Sequence, residues 1–230
     1  EQAEPEPVVV WGNGDDFSTI HVPVLSKHYV LFVEPAQFML MPTDEVRERY
    51  RAIGGRSPIL ERTRVQASTL EAALNSDGQR FKAYVGMRHW HPFIKEALAQ
   101  MAADGAHQAV GLVMAPHYSR MSIGAYFKKV EEASMPVEIA RIEHWHLLPG
   151  YVAALAARVG VALDRFPADM RAEVPIIFTA HSLPQRIREW IDPYPGELRA
   201  TVAAVMERLG PHPHEFAFQS AALTPDSWLG

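Results

Sequence analysis

The stretch Pro175-Ile176-Ile177-Phe178-Thr179-Ala180-His181-Ser182-Leu183-Pro184 decides the fold class. Its first six residues form a short run rich in β-branched and aromatic side chains, bounded by proline. That pattern reads as a strand buried on both faces, as in a parallel sheet. A polar residue, His181, follows at once, and Leu183-Pro184 turns the chain. A histidine is thereby mounted at the mouth of a buried strand.

Reading outward from this point, strand and helix alternate. Upstream, strands are expected at Phe81–Gly86, Ala109–Ala115 and Val137–Ile142. Helices are expected over Pro92–Ala103, Ser122–Ala133 and Tyr151–Phe166, the last with a stripe of Val152, Leu155, Val159 and Leu163. Downstream, Gly196–Leu209 reads as a helix with Leu198, Val202, Val205 and Leu209 inward, and Phe216 and Phe218 mark a last strand. Nearer the start, Asp44–Ile53 and Glu61–Leu74 read as helices joined by Gly54-Gly55-Arg56-Ser57-Pro58. Residues 1–41 show no clear period. Such alternation implies an α/β fold of parallel sheets flanked by helices. In such folds ligands sit outside the carboxyl ends of the strands.

Composition narrows the chemistry. The chain has 230 residues, 48% hydrophobic, which is enough for one large domain or two small ones. It has no cysteine, which excludes disulfides, iron–sulfur clusters and thiolate-bound zinc. The net charge of -5 offers no basic field for nucleic acid. The apolar stretch Val22–Met41 is interrupted by Lys27, His28 and Glu34 and is too short and polar to span a bilayer. A cytoplasmic protein without a secretory signal is expected.

Six of the eleven histidines follow expected strand ends: His89, His91, His117, His144, His146 and His181. Imidazole is a common metal ligand and a base near neutral pH, so a metal or proton-transfer site is expected at the carboxyl edge of the sheet. Duller roles compete. His89 and His91 could simply open a helix, His144 and His146 could be structural, and His107, His212 and His214 read as surface residues. Carboxylates that would suit a hydrolytic metal site are scarce in these loops, Glu143 being the near neighbour.

Taken together, several motifs resemble the ferrochelatase family. They are Arg49-Tyr50-Arg51-Ala52-Ile53-Gly54-Gly55-Arg56-Ser57-Pro58, Ala115-Pro116-His117-Tyr118-Ser119, Ala180-His181-Ser182-Leu183-Pro184, Asp192-Pro193-Tyr194-Pro195, Gln219-Ser220 and Thr224-Pro225-Asp226-Ser227-Trp228-Leu229-Gly230. They stand in the family's order and cover about Pro42 to Gly230.

The resemblance implies two similar α/β domains, 42–143 and 144–230, with the second incomplete and residues 1–41 an atypical leading segment. It implies a lyase of heme synthesis that inserts ferrous iron, its substrate, into a porphyrin. His181 would be the catalytic histidine and metal ligand. Arg49, Tyr50, Ser57 and Tyr126 would bind the porphyrin, with Arg88 and His89 as further cleft residues. The Ala115–Ser119 form favours coproporphyrin III over protoporphyrin IX. Residues 1–41 do not resemble the family's opening strand and porphyrin-contacting loop. The acidic residues that face the histidine in the family have no counterpart before Gly230. A fragment marginal in stability, a tetrapyrrole-binding remnant without activity and a cobalt chelatase are the alternatives.

Overall fold

The first half of the chain is organised by one parallel sheet. The structure, a computed structural model, describes residues 28–34, 44–52, 54–55, 57–78, 80–221 and 226–230. The described chain falls into two units, one of Val22–Pro116 with Arg120–Glu143, the other of His117–Ser119 with His144–Gly230.

In the first unit the elements run β1 (His28–Glu34), α1 (Asp44–Ala52), α2 (Ile59–Leu74), β2 (Phe81–Met87), α3 (Ile94–Ala103), β3 (Gln108–Val113), α4 (Ile123–Ala133) and β4 (Glu138–Ile142). The strand order is β2-β1-β3-β4, with every pairing parallel. The chain therefore leaves β1 to one side for β2 and returns to its other side for β3. That reversal is a topological switch point, where open α/β sheets bind ligands. The residues following β2 and β3, Arg88-His89 and Met114-Ala115-Pro116, stand at that edge.

Against the expectation that residues 1–41 lack an opening strand, His28–Glu34 forms β1 and pairs with both β2 and β3. An interior strand of a parallel sheet needs apolar residues on both faces. Its sequence consequently has no period-2 alternation to read. Residues 35–43, where the expectation that the porphyrin-contacting loop is lacking also falls, lie outside the described residues.

The core of this unit gathers Leu98 and Met101 of α3, Val113 of β3, and Ile123, Tyr126 and Phe127 of α4, all buried. Gly111 lets α4 close on β3, because a Cβ there would lie 2.7 Å from Ile139 Cγ2 and 3.0 Å from the Phe127 ring. Two glycines shape the end of α1. Gly54 and Gly55 take φ of +98° and +83°, and the Gly55 N–H donates to Tyr50 O at 2.7 Å. A left-handed turn of this kind satisfies the last carbonyls of a helix.

The second unit contains α5 (Pro149–Leu163), β5 (Ile176–His181), α6 (Tyr194–Leu209) and β6 (His214–Gln219). β5 and β6 are parallel, from Ile176 opposite His214 to His181 opposite Gln219. α5 begins on Pro149, which suits a first helical turn. The expectation of a doubly buried strand at Pro175–Ala180 is corrected: Ile177 is 66% exposed, so among the described residues β5 is covered on one face only. An apolar run shows that a strand can be buried, not that both faces are.

Both units are thus parallel α/β structures, the class that the alternation implies. No helix among the described residues is long and apolar enough to cross a membrane.

Candidate functional site at the end of β5

His181 is the last residue of β5, and its side chain is exposed. Its backbone is held from several directions. The Tyr194 hydroxyl donates to His181 O at 3.0 Å. The next residue, Ser182, is buried. Its N–H donates to Gln219 O at 2.7 Å and its hydroxyl to Leu229 O at 2.8 Å. Residues Ser227–Leu229 strap the turn that follows: Leu229 N donates to Leu183 O, Gln185 N to Ser227 O, and Pro184 bridges antiparallel to Trp228. A catalytic side chain gains from a mount of this kind, since free rotation of the backbone would blur its position.

The Asp192-Pro193-Tyr194-Pro195 segment starts α6 beside this turn. Asp192 Oδ1 accepts from the Tyr194 N–H at 3.1 Å, and Asp192 Oδ2 from the Ser119 hydroxyl at 3.1 Å. Burial, and secondarily Asp192, push the Tyr194 hydroxyl up to about 12. It therefore stays protonated and keeps donating to His181 O.

The residue before Asp192 carries local strain. Ile191 is β-branched, has φ of 52° and is 90% exposed. The left-handed region costs an L-residue roughly 1–2 kcal/mol. Ile191→Gly should therefore stabilise the protein by about 1 kcal/mol, a rise of roughly 2–4 °C in melting temperature. Calorimetry checks this, and an unchanged or lower midpoint would contradict it.

Next to this turn lies a histidine cluster. Glu197, buried in the first turn of α6, accepts from the Tyr118 N–H at 2.6 Å. Its Oε1 meets His144 Nδ1 at 2.5 Å and its Oε2 lies 3.4 Å from His146 Nδ1. His117 Nε2 pairs with Thr201 Oγ1 at 2.9 Å, and the Thr201 hydroxyl also reaches His146 O and Glu197 O, each at 3.1 Å. The His117 ring stacks on His146, with centroids 5.7 Å apart, and meets Tyr194 edge-on at 6.4 Å. Thus His117–Ser119, Ala180–Pro184, Asp192–Pro195, Gln219 and Ser227–Leu229, scattered through the sequence, supply side chains or backbone to one neighbourhood in this unit.

Burial sets the charge state inside it. Burial, and secondarily His146, lower His117 to about 4. Burial also lowers His146, against the opposing pull of Glu197. For His117 the sign is clear. The unfolded chain takes up this proton near pH 6.5, but the folded protein resists it until about pH 4. Stability is therefore lost as pH falls through that window, by on the order of 2 kcal/mol after allowance for solvent screening. Urea melts in EDTA between pH 7 and pH 4 should show this loss, and His117→Gln should flatten it. Parallel curves for the two proteins would contradict the assignment.

The remaining expected residues lie in the first unit. Arg49 and Tyr50 are on α1. Ser57 Oγ accepts from the Ile59 N–H at 3.3 Å, at the start of α2. Tyr126 is only 1% exposed, and the Arg88 guanidinium lies 5.6 Å from its ring centroid. His89 is exposed at the end of β2, and burial, with Arg88 and then Lys129, lowers its pKa. His91 takes the duller role: its Nδ1 is 3.0 Å from Glu96, whose carboxylate also accepts from the Phe93 N–H at the start of α3.

Sequence reading missed Glu197 and Thr201 as partners of the histidines, and Asp192 as the partner of Ser119. It looked for a carboxylate close in sequence and found Glu143. The carboxylate that the histidines meet is Glu197, more than fifty positions beyond His144. A signal was present. Glu197 and Thr201 stand i−8 and i−4 to Val205 of the inward stripe of α6, and all three are buried. A charged and a hydroxyl residue on a core face require partners.

Comparison with known proteins gives the family. The family model described as Ferrochelatase matches residues 26–230, and so includes β1. The ferrochelatase of Deinococcus radiodurans is 42% identical over 81% of this chain and 61% of its own length. That of Herpetosiphon aurantiacus is 40% identical over 83% of this chain and 65% of its own. The coproporphyrin III ferrochelatase of Bacillus subtilis is 39% identical over 81% of this chain and 62% of its own. The chain thus spans less than two thirds of the length of these curated relatives.

Proposed function

The chain belongs to the ferrochelatase family, and from that premise we propose that it inserts ferrous iron into a porphyrin, with coproporphyrin III preferred to protoporphyrin IX. The gathering of His117–Ser119, Ala180–Pro184, Asp192–Pro195, Gln219 and Ser227–Leu229 at the end of β5 supports this reading. It leaves an exposed imidazole on a backbone fixed by Tyr194, Gln219 and the Ser227–Leu229 strap. The preference for coproporphyrin III rests on the Ala115–Ser119 form and on several relatives that bear that substrate in their names.

A free-base porphyrin gives up two pyrrole protons as one ferrous ion enters. In this reading His181 accepts a pyrrole proton, passes it to solvent and is available again for the second, or acts as a borderline ligand that hands over iron. Arg49 supplies charge for the acidic arms and Ser57 a hydroxyl. Tyr50 offers an aromatic face. Arg88 and His89 stand at the switch point of the first sheet, and Tyr126, buried beneath Arg88, contributes by supporting that guanidinium.

A Soret titration with each porphyrin tests substrate choice. Coproporphyrin III, with four acidic arms, should bind at least about tenfold more tightly than protoporphyrin IX, with two, about 1.4 kcal/mol. Equal affinities would remove the preference while leaving the family reading intact.

A further inference from the structure

We propose that His144, His146 and Glu197 form a binding site for one divalent transition-metal ion, separate from His181. One donor atom from each lies within 4.8 Å of the other two. The donors come from two elements, the segment after β4 and the first turn of α6, so an ion between them would tie that segment to the helix.

The donor set has a definite preference. Two imidazoles and one carboxylate suit zinc, ferrous iron or cobalt. Calcium and magnesium favour all-oxygen shells and fit poorly. With neutral imidazoles and one carboxylate, a divalent ion leaves a single net positive charge and open positions for water.

The surroundings resemble those of a ligand shell. His146 Nδ1 is buried and has no hydrogen bond, although it faces Glu197 Oε2 at 3.4 Å. An atom that is buried, polar and without a hydrogen bond calls for a partner, and a metal would be one. The carboxylate is oriented from behind by the Tyr118 N–H at 2.6 Å. Support of that kind fixes ligands at metal centres. The Trp145 ring turns away to pack on Tyr151, with centroids 5.1 Å apart, which leaves its two neighbouring histidines to face Glu197. The side chain of His144 is 48% exposed, so an ion has a route in from solvent. His117 is excluded as a fourth ligand by its Nε2 bond to Thr201 and its stacked position on His146.

The site can be separated experimentally from porphyrin metallation because neither porphyrin nor turnover is needed. The 230-residue chain, freed of metal with a chelator and then of the chelator, is titrated with Zn²⁺ by calorimetry and with Co²⁺ by visible absorption. Variants must share the wild-type circular dichroism. The expected result is one tight equivalent in the wild type and in His181→Ala, with cobalt bands of a low-coordinate nitrogen–oxygen site. His144→Ala/His146→Ala should lose on the order of a hundredfold in affinity, and Glu197→Gln at least about tenfold. Should the double variant not fold, His144→Ala alone, at a half-exposed position, and Glu197→Gln decide the matter. The proposal is overturned if the folded wild type takes up no stoichiometric ion. It is equally overturned if uptake ignores both His144→Ala and Glu197→Gln, or if His181→Ala alone abolishes it.

Discussion

Replacing His181 with alanine should lower iron insertion by on the order of 10²–10⁴-fold, the usual worth of a positioned proton-transfer group. Porphyrin affinity should stay within a few-fold of the wild type. The split follows from what holds the residue. The bonds that fix this corner run through backbone atoms of His181 and through Ser182, Tyr194 and Leu229. The imidazole itself is exposed. Truncating it removes the reactive group without opening the core or freeing the β5–β6 register. Anaerobic insertion rates and Soret titrations on the same preparations separate the two effects. Loss of binding with turnover retained would reverse the role assigned to His181.

The second large effect is on stability. Glu197→Ala should cost about 3 kcal/mol, which for a chain of this size is a drop of roughly 6–12 °C in melting temperature. The carboxylate is buried and receives the Tyr118 N–H, His144 Nδ1 and, at longer range, His146 Nδ1. Alanine leaves the buried groups without an acceptor, and an unsatisfied buried donor costs about 1–3 kcal/mol. Glu197→Gln keeps an oxygen for Tyr118 and should recover part of the loss. Thermal melts in EDTA measure both. A change below about 0.5 kcal/mol for the alanine variant would mean that this cluster does not hold the 117–119 and 144–146 segments to α6.

How much of this could be read from the sequence depends on where each signal lies along the chain. The α/β class was legible because apolar runs such as Ala109–Ala115 and helical stripes such as that of Tyr151–Phe166 are local patterns. β1 was not, since a seven-residue interior strand flanked by polar residues has neither alternation nor a helical stripe. The exposed face of β5 at Ile177 was also hidden, because an apolar side chain does not record which neighbours cover it. His181 was legible because strand, histidine and proline turn are adjacent. Asp192, Glu197 and Thr201 were not, because their partners sit on segments brought together only by folding. The motif Ala115–Ser119 could be quoted from the sequence. That its three polar residues attach to α6 through Thr201 and Glu197, and to the turn before it through Asp192, could not.

The most direct measurement is the rate at which the purified chain converts coproporphyrin III to its iron complex under anaerobic ferrous iron, set against a control without protein. The family reading and the geometry at His181 predict a Soret shift on mixing, followed by conversion well above the control. A shift with conversion no faster than the control would contradict the proposed activity and leave a tetrapyrrole-binding protein in its place.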